Sequence, residues 1–145
     1  MEALWSLWRL RTRVTKPSSG IEEDVSGPGS FDTGTNALVM PHSIANPVLD
    51  RLQANVTLSE ESGLLKVSCA DAAHLPPITV LMKGFGGELP LLEIPATSYV
   101  YKETEAVRLL AITFSDKWIL GLPALTGHFF LYDWENSRIG FADLK

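Results

Sequence analysis

The chain has 145 residues, a net charge of −5 and 46% hydrophobic residues. This length and apolar content are enough for one domain with a core, or for one lobe of a larger protein, and 9 prolines with 11 glycines indicate strands and turns. The acidic balance, with no basic stripe after residue 16, argues against nucleic acid as a partner because phosphate binding needs clustered lysine and arginine.

Residues 1–30 differ in composition from the rest of the chain. The apolar run at the start is too short, and too soon broken by arginine, for a signal peptide or a membrane span, and no other segment reaches the roughly 20 apolar residues of a span. The first ten residues are compatible with one or two turns of helix, and the remainder predicts loop. We expect residues 1–30 to be loosely ordered, since they offer little apolar surface to offset the entropy of ordering.

A tight turn follows in the stretch Phe31-Asp32-Thr33-Gly34-Thr35-Asn36, which places one carboxylate between hydroxyl groups and a glycine. A carboxylate that activates water has to be held rigidly, and Thr35 and a glycine N–H are the available donors. The tripeptide Asp-Thr-Gly is also common. Taken alone, it favours an ordinary Asx-type turn in which Asp32 bonds its own backbone and Gly34 takes a positive φ.

The chain beyond this turn is predicted to be mostly strand. Residues 37–40 predict a short buried strand, and residues 44–53 predict a helix with apolar residues at a spacing of four. Further strands are predicted over residues 63–69, 78–82, 89–94, 107–114, 129–134 and 138–142. Pro90 suggests an edge strand, and the glycine-rich residues 83–87 predict a hairpin turn because they lack the lysine and helix of a phosphate loop.

A late apolar run, Trp118-Ile119-Leu120-Gly121, precedes the last two predicted strands. Together with the Asp turn, this order resembles the C-terminal lobe of a pepsin-like aspartic endopeptidase (peptidase family A1) over residues 31–145. Residues 95–101 are similar to a family segment in which a short turn precedes a tyrosine-containing strand. The resemblance implies a mostly β fold, a single acid-protease lobe that is half of the bilobal fold, with one or two short helices. Residues 1–30 show no such resemblance.

The resemblance also implies the chemistry of the site. Each lobe of the family supplies one Asp turn, and two carboxylates about 3 Å apart share one proton and activate a water molecule. Asp32 would be the catalytic residue of this chain, with Gly34 and Thr35 donating hydrogen bonds to its two oxygens. Thr33 would turn inward to bond the opposing lobe, and Gly121 would permit the Ile-Leu-Gly segment to cross beside the turn. Neither a metal nor an organic cofactor is expected.

Three positions depart from the family pattern. Asn36 stands where serine is frequent, and we expect it near the substrate backbone. Leu122 follows the Ile-Leu-Gly segment where an acidic residue is common, so the Asp pair should be easier to ionise. Cys69 is the sole cysteine, in a segment whose cysteine usually pairs with one downstream, so no internal disulfide can form. The missing disulfide weakens a secretory location without excluding it.

Other kinds of site have little support in the sequence. His42, His74 and His128 are isolated from one another, which favours surface or core roles over metal binding. Serine-nucleophile chemistry lacks its Gly-x-Ser-x-Gly motif. The sequon Asn55-Val56-Thr57 would accept a glycan in the secretory route, but a three-residue match is weak and the sequence alone favours chance.

We expect aspartic endopeptidase activity on polypeptide substrates, with one Asp from this chain. The chain has no second Asp-Thr-Gly or Asp-Ser-Gly, so the isolated monomer should be inactive and should need a missing N-terminal lobe or a second copy. A truncated or partial two-lobe enzyme is favoured, and a homodimer of the retroviral type or a non-catalytic peptide- or partner-binding module are the alternatives. The family resemblance implies a secretory, vacuolar or lysosomal, or extracellular location.

Overall fold

The structure is a computed structural model that describes residues 10–14, 21–23, 29–82 and 90–144. Strands form most of its regular structure, which confirms the prediction of a mostly β fold. The strands are β1 (Leu10–Val14), β2 (Ile21–Glu23), β3 (Gly29–Phe31), β4 (Leu38–Pro41), β5 (Leu58–Glu61), β6 (Leu64–Ser68), β7 (Ile78–Met82), β8 (Leu91–Ile94), β9 (Val100–Lys102), β10 (Val107–Leu110), β11 (Ile112–Ser115), β12 (Trp118–Leu120), β13 (His128–Asp133) and β14 (Arg138–Asp143). The helices are α1 (Ala45–Leu52), α2 (Cys69–Ala72), α3 (Ala96–Tyr99) and α4 (Leu122–Leu125), with a 3₁₀ turn over His42–Ile44.

The described strands form three four-stranded sheets and one hairpin. The strand order is β2-β1-β7-β8 in the first sheet, β5-β6-β10-β9 in the second and β11-β4-β12-β3 in the third. Over the described residues, β13 and β14 pair only with each other. β8 follows Pro90 and lies at the edge of its sheet, as the proline predicts.

The third sheet, which we call the central sheet, positions the Asp turn. β4 pairs in parallel with β11 and antiparallel with β12, while β3 pairs in parallel with the other side of β12. Leu38, Val39 and Met40 of β4 are all buried. Because successive residues of a strand point to opposite faces, the central sheet is covered on both faces at β4.

The core is a cluster of buried aliphatic and aromatic side chains from most elements after β3. Trp118 of β12 and Tyr99 of α3 are its largest fully buried side chains. The Tyr99 hydroxyl donates a hydrogen bond to the carbonyl oxygen of Pro76 at 2.5 Å, and burial raises the pKa of this phenol. This bond ties α3 to the segment that leads into β7.

Residues 1–30 contain two whole strands and the first two residues of β3, mostly where the sequence predicts loop. β1 pairs antiparallel with both β2 and β7, so this segment is joined to the first sheet. β1 forms on β7 and β2 forms on β1, since a strand can form on a partner without a clear alternating pattern of its own. The possible helix in the first ten residues lies, apart from Leu10, outside the described residues. The expected loose order and the domain boundary at residue 31 stay predictions.

The predicted strand over residues 107–114 is two strands in two sheets. Ala111, between β10 and β11, donates its amide to the carbonyl oxygen of Tyr99 at 2.7 Å and accepts at its carbonyl from the amide of Leu38 at 2.8 Å. Since these partners belong to different parts of the fold, the chain passes at Ala111 from the second sheet to the central sheet.

Several short elements were not predicted. β5 joins β6 through Ser62 and Gly63, which both have positive φ as a tight hairpin turn requires. The described residues contain four helices instead of one or two, and three of them are single turns. The predicted turn at residues 83–87 lies outside the described residues. Over the part of the chain that the structure describes, no helix has the length and apolar character needed to cross a membrane.

Candidate active site

The Asp turn connects β3 to β4 around the end of β12. Phe31 is paired with Leu120, and the amide of Asp32 donates to the carbonyl oxygen of Leu120 at 3.1 Å. On the other side of β12, Leu38 of β4 is also paired with Leu120. β12 therefore lies between the two strands that the turn joins. Asp32 follows the end of a strand and lies beside the Ile-Leu-Gly segment, as predicted.

Gly121 lies against the backbone of the turn. Its amide donates to the carbonyl oxygen of Ala37 at 3.2 Å, and the amide of Leu122 donates to that of Thr35 at 2.8 Å. A Cβ atom built on Gly121 would lie 2.2 Å from the Thr35 oxygen and 2.4 Å from the Ala37 oxygen. No side chain fits in this space, so the position requires glycine for the close approach of two backbone segments.

Two hydrogen bonds from its own turn hold the Asp32 carboxylate. The Gly34 amide donates to Oδ1 at 2.8 Å, and the Thr35 hydroxyl donates to Oδ2 at 2.6 Å. Both donors are the ones that the sequence predicts. Because the two bonds favour the charged form, they hold the pKa of Asp32 below its usual value, with Thr35 the larger cause and Gly34 the next. The carboxylate is therefore fixed in orientation and is ionised near neutral pH.

The Asp32 turn differs in one respect from the ordinary Asx-type turn. The bond from the Gly34 amide is the one such a turn would make, but among the described glycines only Gly63 and Gly127 have positive φ. Gly34 instead leaves room beside the carboxylate, since a Cβ atom there would lie 3.2 Å from Asp32 Oδ1. Glycine is therefore suited to this position because it leaves space for the short bond to the carboxylate, and not because the backbone is left-handed.

The remaining predicted residues lie on the open side of the turn. Thr33 and Asn36 are exposed, and their side chains make no hydrogen bond within the described residues. Leu122, which follows the crossing glycine, is 38% exposed. The structure therefore brings all the predicted residues to one turn and its crossing segment. The roles of Thr33 toward another lobe and of Asn36 toward a substrate stay predictions.

The sequence did not reveal two further features of this site. Phe31 contacts Phe130 of β13 with ring centroids 5.1 Å apart, so the final hairpin packs against β3, the strand that leads into the Asp turn. After the Thr35 and Gly34 bonds, the charge of Lys117 also lowers the pKa of Asp32. The position of Lys117 directly before the predicted crossing segment was a possible signal for this proximity. The ring contact had no signal in the sequence.

The histidine and cysteine side chains considered in the sequence can also be located in the structure. Within the described residues, no group of three or more His, Cys, Asp and Glu side chains is placed to hold a metal ion. His128 has a buried side chain with Nε2 3.3 Å from Asp143, and two phenylalanine rings lie edge-on to it. Cys69 is an exposed free thiol that accepts a hydrogen bond from Arg108 at 2.9 Å.

The mostly β fold and the Asp turn fixed against a crossing glycine define an acid-protease domain. The chain matches the eukaryotic aspartyl protease family over residues 4–144 and belongs to this pepsin-like family. The match begins well before residue 31 and therefore includes most of the segment in which the sequence alone showed no resemblance.

The chain is similar to curated relatives named gastricsin and pepsin A. Gastricsin from Macaca fuscata fuscata is 32% identical over 118 residues, which are 77% of this chain and 29% of the relative. Gastricsin from Homo sapiens is 31% identical over 118 residues, which are 77% of this chain and 28% of that relative. Pepsin A from Gallus gallus is 27% identical over 120 residues, which are 79% of this chain and 29% of that relative. The chain thus spans less than a third of the length of these relatives.

Proposed function

We propose that this chain is the C-terminal lobe of a two-lobe aspartic endopeptidase and that Asp32 is one of its two catalytic carboxylates. The observation that carries the proposal is the orientation of Asp32 by Gly34 and Thr35 on a turn fixed against Gly121. The order of the Asp turn, the crossing glycine segment and the final hairpin supports the C-terminal lobe. The short span relative to the gastricsins supports a second lobe supplied by a polypeptide outside this sequence.

The reaction requires Asp32 to be paired with a second carboxylate. Two carboxylates about 3 Å apart cannot both ionise, so the pair holds one proton and titrates as a unit. The ionised member takes a proton from a bound water molecule, while the protonated member donates to the peptide carbonyl oxygen. As the tetrahedral intermediate collapses, the roles reverse and the leaving amine receives a proton. The bonds from Gly34 and Thr35 keep the Asp32 oxygens in place through both steps.

The exposed residues of the turn take supporting roles in this proposal. Thr33 bonds the backbone of the opposing lobe, and Asn36 lies along the substrate backbone. Their exposure, without hydrogen bonds to the described residues, supports both roles. Leu122 adds no charge to the site, so the carboxylate pair ionises more easily than it would beside an acidic residue.

The β13–β14 hairpin offers a surface for the second lobe. Phe130 packs inward against Phe31, whereas Phe129 and Leu131 on the opposite face of β13 are 58% and 59% exposed. Contiguous exposed apolar patches mark interaction surfaces, and these two side chains lie on one face of the same strand. Because the inner face of the hairpin contacts β3, which leads into the Asp turn, a lobe on its outer face would be held near that turn.

The test compares the chain alone with the completed enzyme. The transcript upstream of Met1 is read for a second Asp-Thr-Gly or Asp-Ser-Gly in frame, and the lobe that it encodes is combined with this chain. We expect no cleavage of an unfolded polypeptide by the purified monomer, and cleavage at acidic pH by the combined form. Asp32→Asn should lower this activity by roughly a thousandfold or more. Asp50→Asn, at an exposed carboxylate of α1, is the matched control and should leave the activity unchanged.

Other outcomes would contradict the proposal in distinct ways. Cleavage that survives Asp32→Asn, or robust activity in a verified monomer, would refute the assignment of Asp32 to a shared pair. Activity of a verified dimer of this chain alone would indicate a homodimeric protease. A combined form that binds peptides without cleaving them would indicate a binding module.

We also propose that the protein acts in the secretory route, or in an acidic compartment reached through it. Membership of the pepsin-like family and the acidic working range of a carboxylate pair that shares one proton support this location. Cell fractionation of the full transcript product tests the proposal, and a product found only in the cytosol would contradict it.

A further inference from the structure

The sequon Asn55-Val56-Thr57 is a motif that the proposed protease function does not use. It lies in the turn between α1 and β5, where Asn55 and Thr57 are exposed and Val56 is buried in the core. The buried valine fixes the backbone of the turn, and the two polar side chains on either side of it remain at the surface. No other asparagine of the chain is followed two residues later by serine or threonine.

We propose that Asn55 is an acceptor site for an N-linked oligosaccharide. The inference rests on the proposed function through the secretory location. Neither Asn55 nor Thr57 makes a hydrogen bond or ion pair within the described residues, so the side-chain amide and hydroxyl are both available. A glycan at an exposed turn also displaces no packed side chain, which is the usual setting of this modification.

The step transfers an oligosaccharide from a lipid-diphosphate-linked donor. A bond forms between Asn55 Nδ2 and the anomeric carbon of the sugar, while the bond from that carbon to the diphosphate oxygen breaks. The amide nitrogen releases one proton to solvent, and the lipid diphosphate leaves with the electron pair of the broken bond. The Thr57 hydroxyl is the second group that defines the acceptor sequence.

The glycan would stand at the start of an edge strand. β5 begins at Leu58 and pairs only with β6 over the described residues, and its residues 59–61 are exposed. Unpaired strand edges favour association with other chains, and bulky or charged groups beside them oppose it. The position of Asn55 is therefore one where an oligosaccharide can remain in solvent and cover a free edge.

The test sends the full chain into the secretory route of a eukaryotic cell behind a cleavable signal peptide, and examines only the protease-protected chain, which lies in the lumen. On a denaturing gel, treatment with peptide N-glycosidase should lower the apparent mass of the wild-type chain by that of one glycan. Asn55→Gln and Thr57→Val should abolish this shift, while Thr57→Ser should retain it. As a positive control on the Asn55→Gln background, Lys102→Asn completes a sequon with Thr104 at an exposed site and should restore one shift.

A lumenal wild-type chain without glycan, when the Lys102→Asn control is glycosylated, would overturn the inference. A glycan that persists in Asn55→Gln would also overturn it. The gel readout is independent of peptidase activity, so the two proposals fail separately. A glycosylated but inactive completed enzyme would contradict the proposed function, and an active enzyme with an unmodified Asn55 would contradict the glycan site.

Discussion

Thr35 serves the Asp turn through two different groups. Its hydroxyl donates to the Asp32 carboxylate, and its carbonyl oxygen accepts from the amide of Leu122. One residue therefore connects the charge of the site to the crossing segment. A change at Thr35 acts on the ionisation of Asp32 through the side chain while the backbone bond remains available.

Thr35→Val should raise the pKa of Asp32, because it removes the largest cause of the lowered value. A carboxyl group with a lowered pKa stabilises the fold above its unfolded pKa of about 3.9, and this contribution is lost as the pH falls through the folded pKa. The variant should therefore lose more stability at neutral pH than in strong acid. NMR titration of the Asp32 carboxyl and urea unfolding provide the two measurements.

Thr113→Val, at an exposed hydroxyl of β11, is the control for this prediction. It should leave the pKa of Asp32 unchanged. An Asp32 pKa that is the same in Thr35→Val and in the wild type would mean that the hydroxyl bond does not hold the charge.

Gly121→Ala should destabilise the fold by about 3 kcal/mol, because the new methyl group would overlap backbone oxygens that cannot easily move. Gly140→Ala is the matched control, since a Cβ atom on Gly140 meets nothing within 4 Å. We expect the control to change stability by no more than about 0.5 kcal/mol. Urea unfolding of both variants tests the difference, and equal losses would show that the close crossing is not a constraint.

At the scale of secondary-structure elements, the β13–β14 hairpin is closed by a network around Asp133. One carboxylate oxygen accepts from the backbone amide of Asn136 at 3.2 Å, and the other accepts from Arg138 Nε at 2.7 Å. Arg138 and then Asn136 hold the pKa of Asp133 below its usual value. Ser137 has φ of 50°, a left-handed conformation that this network helps to maintain.

Asp133→Ala should make the hairpin open more often, because the turn loses the acceptor for both partners. Hydrogen exchange of the β13 and β14 amides should become faster, while exchange in β6 should not change. Since the pKa of Asp133 is lowered in the fold, acidification of the wild type through that pKa should have the same effect. Glu135→Ala, at an exposed carboxylate in the same turn, is the control. Equal hydrogen-exchange rates in the two variants would mean that the Asp133 network does not stabilise the hairpin.

The predictability of the elements depended on where their pairing partners lie. β7, β13 and β14 carry apolar patterns of their own, and the sequence predicted them with small changes at their ends. β1 and β2 lack such patterns, and β1 depends on its pairing with β7 while β2 depends on its pairing with β1, so both were missed. The break at Ala111 was also missed, because bonds to distant residues create it.

The candidate site shows the same division. The donors to Asp32 lie within three residues of it, so the sequence of the turn was enough to predict them. The contact of Phe31 with Phe130 and the charge of Lys117 depend on how distant segments pack. The number of residues between two segments does not tell how far apart they lie in space, and only the fold brings such segments together.

At the scale of the whole molecule, buried polar contacts join parts of the fold that pair in different sheets. Tyr99 is fully buried, and its bond to Pro76 connects the end of α3 to the strand entry at β7. A part-buried carbonyl oxygen that loses such a partner costs free energy to the extent that water cannot replace the bond. This contact should therefore contribute to global stability rather than to local order.

Tyr99→Phe should lower the free energy of unfolding by about 1 kcal/mol near neutral pH. Tyr101→Phe, at an exposed tyrosine of β9, should have little effect and is the matched control. Because burial raises the pKa of Tyr99, the contribution of its phenol is complete below the unfolded pKa of about 10 and is lost as the pH rises through the folded pKa. Urea unfolding at neutral and alkaline pH tests both statements, and equal losses in the two variants would contradict them.

The bond from the Asp32 amide to Leu120 joins residues that lie far apart in the sequence. It lies beside the parallel pair of β3 and β12, and contacts of such high sequence separation form slowly because the long loop must be closed first. The crossing is therefore expected late in folding, after the local hairpins. Until then, the Asp turn has no fixed position against β12, although the bonds from Gly34 and Thr35 to Asp32 are local. Under the proposed function this order matters, because the Asp32 carboxylate would reach its final position only after most of the chain's own backbone has folded.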